Sequence, residues 1–153
     1  MNVLYCGDKN IESGLIISVL SLLKNVKTNL NVYVLTINSK KWNINGVTNK
    51  CIDVLDNKIK LINKENTIKK IDITEIFEKE VPAQNMKTRF TTCCMLRLFA
   101  DEITELPNKI LYLDNDVICR QDCQDFYNQD IEKYEMARLF RLLWKVVFQK
   151  QKN

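Results

Sequence analysis

The chain has 153 residues, 46% of them hydrophobic and 27% charged, with 3 glycines and 2 prolines, which indicates one globular domain rather than a disordered or collagen-like segment. The formal charge of +4 is concentrated at one end, because residues 1–137 carry a net charge of −1 and residues 138–153 carry +5. This distribution argues against a nucleic-acid partner, since nucleic-acid-binding domains present their basic residues as a patch on a folded face.

Six cysteines without histidine or a C-x-x-C pair predict reduced thiols. Residues 1–6 lack the basic start of a signal peptide, and no apolar run is long enough to span a membrane, so we expect a cytoplasmic protein.

Strand and helix patterns alternate from the start of the chain. In chain order the predicted elements are strand 2–6, turn 7–10, helix 11–24, strand 30–37, helix 47–63, strand 67–73, a short helix capped by Thr74, buried helix 90–100, strand 109–113 and short helix 122–127. This order favours an α/β fold with a mostly parallel sheet. Ligands of such sheets bind beyond the carboxyl ends of the strands, which is where Gly7-Asp8 and Asp114-Asn115-Asp116 fall.

Two carboxylates, Asp114 and Asp116, follow the predicted strand 109–113 and precede the apolar run 117–119. Hard cations such as Mg²⁺ and Mn²⁺ prefer oxygen ligands and are often held by one or two carboxylates together with substrate phosphates. A solvated acidic turn is the commoner origin of a bare D-x-D, but such a turn does not require apolar segments on both sides. The pattern therefore favours a divalent-cation site that bridges a diphosphate at the edge of the core.

The block K-I-L-Y-L-D-N-D-V-I, residues 109–118, resembles the D-x-D block of glycosyltransferase family 8, which contains retaining galactosyl-, glucosyl- and glycogenin-type enzymes. Three other blocks resemble family segments in the same order: residues 1–23 the opening strand, nucleotide loop and first helix, residues 89–99 the helix ending in R-L-F, and residues 122–130 the run after the D-x-D. The resemblance implies a GT-A fold, a Rossmann-like nucleotide-diphospho-sugar transferase fold, incomplete at the C-terminus. We expect residues 1–137 to form the N-terminal part of this nucleotide-sugar-binding domain and residues 138–153 an atypical tail.

The resemblance also implies an activity, namely metal-dependent transfer of a hexose from a UDP-sugar to a carbohydrate or glycolipid acceptor with retention. Polysaccharide or lipopolysaccharide synthesis in a bacterium would be its setting, and Mn²⁺ or Mg²⁺ the cofactor. Asp114 and Asp116 would ligate the metal. The nucleotide-sugar-binding residues implied by the resemblance are Cys6, Gly7, Asp8, Asn10, Arg97, Asp114, Asn115 and Asp116.

Four of these residues also have structural interpretations that the sequence leaves open, namely an Asx turn at Asp8, a helix cap at Asn10, a salt bridge at Arg97 and core packing at Cys6. Arg89 is a weaker donor-site candidate. Tyr112 and Trp42 are interpreted as packing residues.

The chain departs from the family in two respects. It has no histidine, whereas the family's third metal ligand is a late histidine, and the catalytic group is expected in a C-terminal half that this sequence lacks. We therefore expect weak metal binding, impaired activity, marginal stability and self-association. The basic, apolar tail has two interpretations: an amphipathic helix for a membrane surface, because Arg138, Arg141 and Lys145 are suitably spaced, or the out-of-frame product of a disrupted gene.

Two other functions compete with glycosyl transfer. A haloacid-dehalogenase-type phosphohydrolase also places D-x-D after an apolar strand, but it prefers Thr or Val where this chain has Ile118, and it needs later residues for which little chain remains. A non-catalytic nucleotide-binding remnant is the second alternative.

Overall fold

The computed structural model describes residues 1–80, 92–131, 136–138 and 145–149. The strands are β1 (Asn2–Cys6), β2 (Asn31–Thr36), β3 (Thr67–Asp72), β4 (Lys109–Leu113), β5 (Met136–Arg138) and β6 (Lys145–Gln149). The α-helices are α1 (Glu12–Asn25), α2 (Asn49–Ile62), α3 (Thr74–Glu80) and α4 (Gln124–Tyr127). In the described part of the chain, 3-10 helices occupy Lys9–Ile11 and Thr92–Phe99. Within these described residues, no helix has the length and apolar character needed to cross a bilayer.

One six-stranded sheet organises the chain in the order β3-β2-β1-β4-β6-β5. The strands β3, β2, β1 and β4 are parallel, and β6 runs antiparallel to both β4 and β5. At the centre, Val3 of β1 lies opposite Val32 of β2 and Leu111 of β4. The predicted α/β class and mostly parallel sheet are confirmed. The carboxyl ends of β1 and β4 are neighbours, so the segments that follow them meet at one edge.

The sheet is buried on both faces because alternate side chains of each central strand enter different cores. On one face, Val3 and Leu111 pack with α1 and α2. On the other face, Leu4 and Tyr112 pack with α3 and the 3-10 helix Thr92–Phe99. This second face brings the 3-10 helix up to the ends of β1 and β4.

The helix predicted over residues 90–100 is a 3-10 helix over Thr92–Phe99, and its expected first two residues lie outside the described part of the chain. With three residues per turn, Cys93, Leu96 and Phe99 share one face, and all three are buried. In an α-helix of 3.6 residues per turn, these three side chains would spread over about 120° of the helix surface. Leu98 is accordingly 69% exposed.

The start of α3 also differs from prediction, because Thr74 is its first residue rather than its cap. The carboxylate of Asp72 accepts from the Thr74 backbone N–H at 2.9 Å. The Thr74 hydroxyl oxygen accepts from the Asn38 N–H at 2.8 Å and so ties α3 to the loop after β2.

The amphipathic-helix interpretation of the tail is wrong for residues 145–149, which form β6 in register with β4 from Lys109 to Leu113. The sequence K-V-V-F-Q has the β-branched and aromatic composition of a strand, and β4 offers it an otherwise unpaired edge. Arg138, a further residue on which that interpretation rested, ends strand β5 and pairs with Val146 of β6. Residues 139–144 and 150–153 lie outside the described part. The division at residue 137 stays a prediction.

Candidate functional site

The loop after β1 forms the first part of the site. The Gly7 N–H donates to the Leu35 carbonyl at 3.0 Å, which continues the β1–β2 pairing beyond Cys6. A Cβ atom at Gly7 would lie 2.6 Å from the Ile11 side chain, so only glycine fits without displacing that side chain. The loop after β2 supports this turn, since the Lys9 N–H donates to the Asn45 carbonyl at 2.8 Å.

Asp8 is held by Asn10 through both carboxylate oxygens. Oδ1 accepts from the Asn10 backbone N–H at 2.9 Å, and Oδ2 accepts from the Asn10 side-chain amide at 3.0 Å. The Asx turn that the sequence left open is therefore formed. Asp8 is half-buried and Asn10 is exposed, so the turn fixes a carboxylate at the open edge of the sheet.

The second part of the site is a contact between Arg97, Tyr112 and Asp114. The Tyr112 hydroxyl donates to Asp114 Oδ1 at 2.6 Å, and Arg97 Nη1 donates to the same hydroxyl at 3.3 Å. Arg97 Nη1 also lies 3.8 Å from Asp114 Oδ1, and the guanidinium carbon lies 5.3 Å from the centre of the Tyr112 ring. The salt bridge that the sequence left open for Arg97 is thus made, and its partner is a D-x-D carboxylate.

Burial and neighbouring anions keep the thiols and the phenol at this edge protonated. Burial raises the pKa of the Cys6 thiol, which Arg97 partly offsets, while Asp114 raises it further. Burial and the Asp8 carboxylate raise the pKa of Cys93 to about 12. Burial, Cys6 and Asp114 raise the pKa of Tyr112, so its hydroxyl stays a donor to the carboxylate. Cys6 packs against the core that contains Cys93 and Tyr112, next to the Arg97–Asp114 contact.

The two carboxylates of the D-x-D turn differ in exposure and in hydrogen bonding. Asp114 is half-buried and bonded as described, whereas Asp116 is exposed and makes no hydrogen bond or ion pair with any residue in the described ranges. Their oxygens fit the preference of Mg²⁺ and Mn²⁺, and Asp116 is available as a ligand. Among the residues that the structure describes, no three His, Cys, Asp or Glu side chains form a metal-binding group. A cation here would need further ligands, which the oxygens of a diphosphate can supply.

The structure brings Cys6, Gly7, Asp8 and Asn10 to the same edge as Arg97 and the D-x-D. Arg89 lies outside the described residues. The polar role of Tyr112 was not predicted, since packing accounts for its ring but not for its hydroxyl. Alternation along β4 was the available signal, because residues two apart on a strand share a face, and Tyr112 therefore faces the same way as Asp114.

The sequence profile of glycosyl transferase family 8 matches residues 2–150, nearly the whole chain. No curated protein matches the chain. Crystal structures of LgtC share its fold: an active-site mutant has a TM-score of 0.73 at 15% identity over 97% of this chain and 57% of that one. Galactosyltransferase LgtC in complex with donor and acceptor sugar analogs has a TM-score of 0.72 at 15% identity over 97% and 58%. GlyE of Streptococcus pneumoniae TIGR4 has a TM-score of 0.64 at 17% identity over 97% and 34%.

The chain therefore spans somewhat more than half the length of the LgtC chains that it matches. These neighbours confirm the predicted GT-A fold. The family match and these neighbours do not support the phosphohydrolase alternative. Since the profile covers residues 2–150, the chain belongs to glycosyl transferase family 8.

Proposed function

We propose that this chain binds the nucleotide-sugar donor of a glycosyltransferase that moves a hexose from UDP to a carbohydrate or glycolipid acceptor with retention. One observation carries the proposal: the Asp8–Asn10 turn follows β1 and the Arg97–Asp114 contact follows its parallel neighbour β4, so both lie at the same edge of the sheet. That edge is where parallel α/β sheets bind ligands. Family membership supplies the reaction class, and the LgtC structure with donor and acceptor sugar analogs supports two sugar substrates.

The nucleoside end is assigned to the loop after β1. A carboxylate offers about four lone-pair sites, so Asp8 can accept the uracil N3–H while Asn10 holds it. Asn10 holds the Asp8 carboxylate in place before the ligand binds, which lowers the conformational entropy that this side chain loses on binding. Gly7 keeps the loop close to Ile11, because a side chain at this position would displace that residue. Cys6 lines the loop through its backbone.

The diphosphate end is assigned to the D-x-D turn and Arg97. Asp114 and Asp116 would hold Mn²⁺ (or Mg²⁺) together with the diphosphate oxygens, and the bound cation would neutralise charge on the leaving UDP. Tyr112 orients Asp114 through its hydroxyl, and Arg97 places a fixed positive charge next to both. Asn115 separates the two carboxylates. The positive charge at this edge is thus positioned by the fold rather than by the ligand.

We expect weak metal binding and impaired transfer by this chain. The 153 residues contain no histidine, so the metal ligand that the family takes from a late histidine is not among its side chains. The proposed setting is polysaccharide or lipopolysaccharide synthesis at the cytoplasmic side of a bacterial membrane.

The test is nucleotide selectivity, measured by calorimetry with UDP, CDP, ADP and GDP in the presence of Mn²⁺. We expect UDP to bind most tightly and the Asp8→Asn variant to lose that preference. Asp122→Asn is the matched control, because the Asp122 carboxylate also accepts from a backbone N–H two residues on, that of Gln124 at 2.9 Å, away from the site. Equal affinities for the four nucleotides would reject the assignment of uracil to Asp8. Where transfer is measurable, NMR of the anomeric proton reports retention, and an inverted product would contradict that part.

A further inference from the structure

The helix α1 makes three separate contacts with the segment that contains the D-x-D motif. Near its N-terminal end, Gly14 faces Asn115, and near its C-terminal end Ser21 and Asn25 bond Cys119. These contacts bracket Asp116, although none of them touches a carboxylate of the motif.

Gly14 lies so close to the D-x-D backbone that no side chain fits between them. A Cβ atom at Gly14 would lie 2.7 Å from the Asn115 carbonyl oxygen and 2.7 Å from its side-chain nitrogen. The backbone oxygen cannot rotate away as a side chain could, so any larger residue would push the turn outward. Glycine is otherwise unfavourable inside a helix. The glycine in α1 is therefore explained by packing, because Asn115 occupies the place that a side chain at position 14 would take.

Cys119 is fixed through its backbone. Its N–H donates to Ser21 Oγ at 2.8 Å, and its carbonyl accepts from Asn25 Nδ2 at 2.8 Å. Cys119 lies outside the strands, so these side chains satisfy buried backbone groups that no ladder reaches. Asn25 is in turn anchored on its own helix, because its Nδ2 also donates to the Ser21 carbonyl at 2.9 Å.

Between these contacts, Val117 closes the turn. Its N–H donates to the Asp114 carbonyl at 3.1 Å, and its side chain is buried in the core that α1 covers. The segment from Asp114 to Cys119 is therefore held by β4 at one end and by α1 along the rest.

We propose that α1 is the positioning element of the metal site, with Gly14 setting how closely the D-x-D turn approaches the helix and Ser21 and Asn25 fixing the outgoing end of the turn. The metal part of this inference rests on the proposed function. Gly14, Ser21 and Asn25 act through the backbone of the segment that carries Asp114 and Asp116. They are therefore positioning residues.

The test compares the full chain with its Gly14→Ala variant. Ser13→Ala is the control, because Ser13 is the preceding residue of the same helix and is exposed. The first readout needs no ligand: amide hydrogen exchange at Val117. We expect exchange at Val117 to accelerate at least tenfold in Gly14→Ala while the amides of β4 keep their protection, and Ser13→Ala to match the parent. Unchanged exchange at Val117 would overturn the positioning role whether or not the chain binds nucleotide.

The second readout is the Mn²⁺ affinity of the UDP-loaded chain. We expect Gly14→Ala to weaken it at least tenfold and to leave UDP affinity without metal unchanged. A parent that binds no UDP would reject the proposed function, and hydrogen exchange at Val117 would then decide the positioning role of α1 alone. A parent that binds Mn²⁺ and UDP no more tightly than Gly14→Ala would reject the inference and leave the proposed function standing.

Ser21→Ala guards against a folding defect in Gly14→Ala. It removes the acceptor of the Cys119 N–H without adding an atom. We expect faster amide hydrogen exchange at Cys119 and weaker Mn²⁺ binding. Both are measured under conditions in which far-ultraviolet circular dichroism shows that the variant is folded. Native exchange and native Mn²⁺ affinity in Ser21→Ala would contradict the proposal.

Discussion

The Tyr112 hydroxyl offers the sharpest perturbation of the site, because Tyr112→Phe removes one oxygen atom and leaves the ring. Tyr112 is 3% exposed, and its hydroxyl donates to Asp114 Oδ1 at 2.6 Å. Hydrogen bonds to charged groups contribute about 1.5–3 kcal/mol. The Asp114 side chain is 30% exposed, so water can replace part of the bond, and we expect a loss of about 1.5 kcal/mol in the free energy of unfolding, at the lower end of that range.

The same substitution should weaken Mn²⁺ binding by the UDP-loaded chain. Groups that hydrogen-bond to a metal ligand without touching the metal contribute roughly 10–100-fold to metal affinity. Without the hydroxyl, the partner that the described residues leave to the Asp114 carboxylate is the Arg97 guanidinium at 3.8 Å, which competes with the cation for the same oxygen. We expect the loss of affinity to be about tenfold, near the lower limit, because Asp116 is not affected.

Tyr127→Phe is the matched control. The Tyr127 hydroxyl donates to the Lys109 carbonyl at 3.1 Å, a neutral acceptor at the start of β4 rather than at its carboxyl end. We expect it to cost about 0.5–1.5 kcal/mol of stability with no change in Mn²⁺ affinity. Urea unfolding and calorimetry measure the two quantities. If Tyr112→Phe changes neither, or if Tyr127→Phe lowers Mn²⁺ affinity equally, the assigned role of Tyr112 is refuted.

Three further predictions concern the body of the fold. Tyr5→Phe leaves the buried Ser18 hydroxyl without its partner at 2.7 Å, so urea unfolding should show a loss of about 1–3 kcal/mol, and an unchanged midpoint would contradict this. Leu55→Ala should cost about 2–5 kcal/mol because Leu55 is 0% exposed, whereas Leu61→Ala, at 78% exposed, should stay within about 0.5 kcal/mol. Cys93 has its pKa raised to about 12, so at pH 8 its alkylation should be about a thousandfold slower in the folded chain than in urea. Because the folded state keeps this proton longer, the Cys93 contribution to stability should be intact below pH 9 and decline as the pH rises towards 12, and equal alkylation rates would refute the burial argument.

The regular elements were predictable because local pattern and tertiary context agree. The strands Asn2–Cys6 and Lys109–Leu113 have the predicted bounds, since both are apolar runs buried on two faces. The helices α1 and α2 end within two residues of prediction. The two edge positions also followed from topology, because strands that run parallel deliver the Gly7-Asp8 turn and the D-x-D turn to the same side.

The remaining features depend on contacts that no local pattern contains. The 3-10 geometry of Thr92–Phe99 follows from the burial of every third side chain against the sheet. The strand β6 depends on pairing with β4, which lies far away in the sequence. The role of Gly14 depends on the approach of Asn115, and a glycine in a helix gives no sign of what occupies the place of its Cβ atom.

We expect the edge formed by β1 and β4 to bind a nucleoside diphosphate through a cation. Titration calorimetry of the full chain with UDP, with and without Mn²⁺, tests it most directly when paired with an Asp114→Asn, Asp116→Asn double variant. We predict that Mn²⁺ strengthens UDP binding by the parent and has no effect on the variant. UDP binding that is indifferent to Mn²⁺, or an equal response to Mn²⁺ in a folded variant, would contradict the claim.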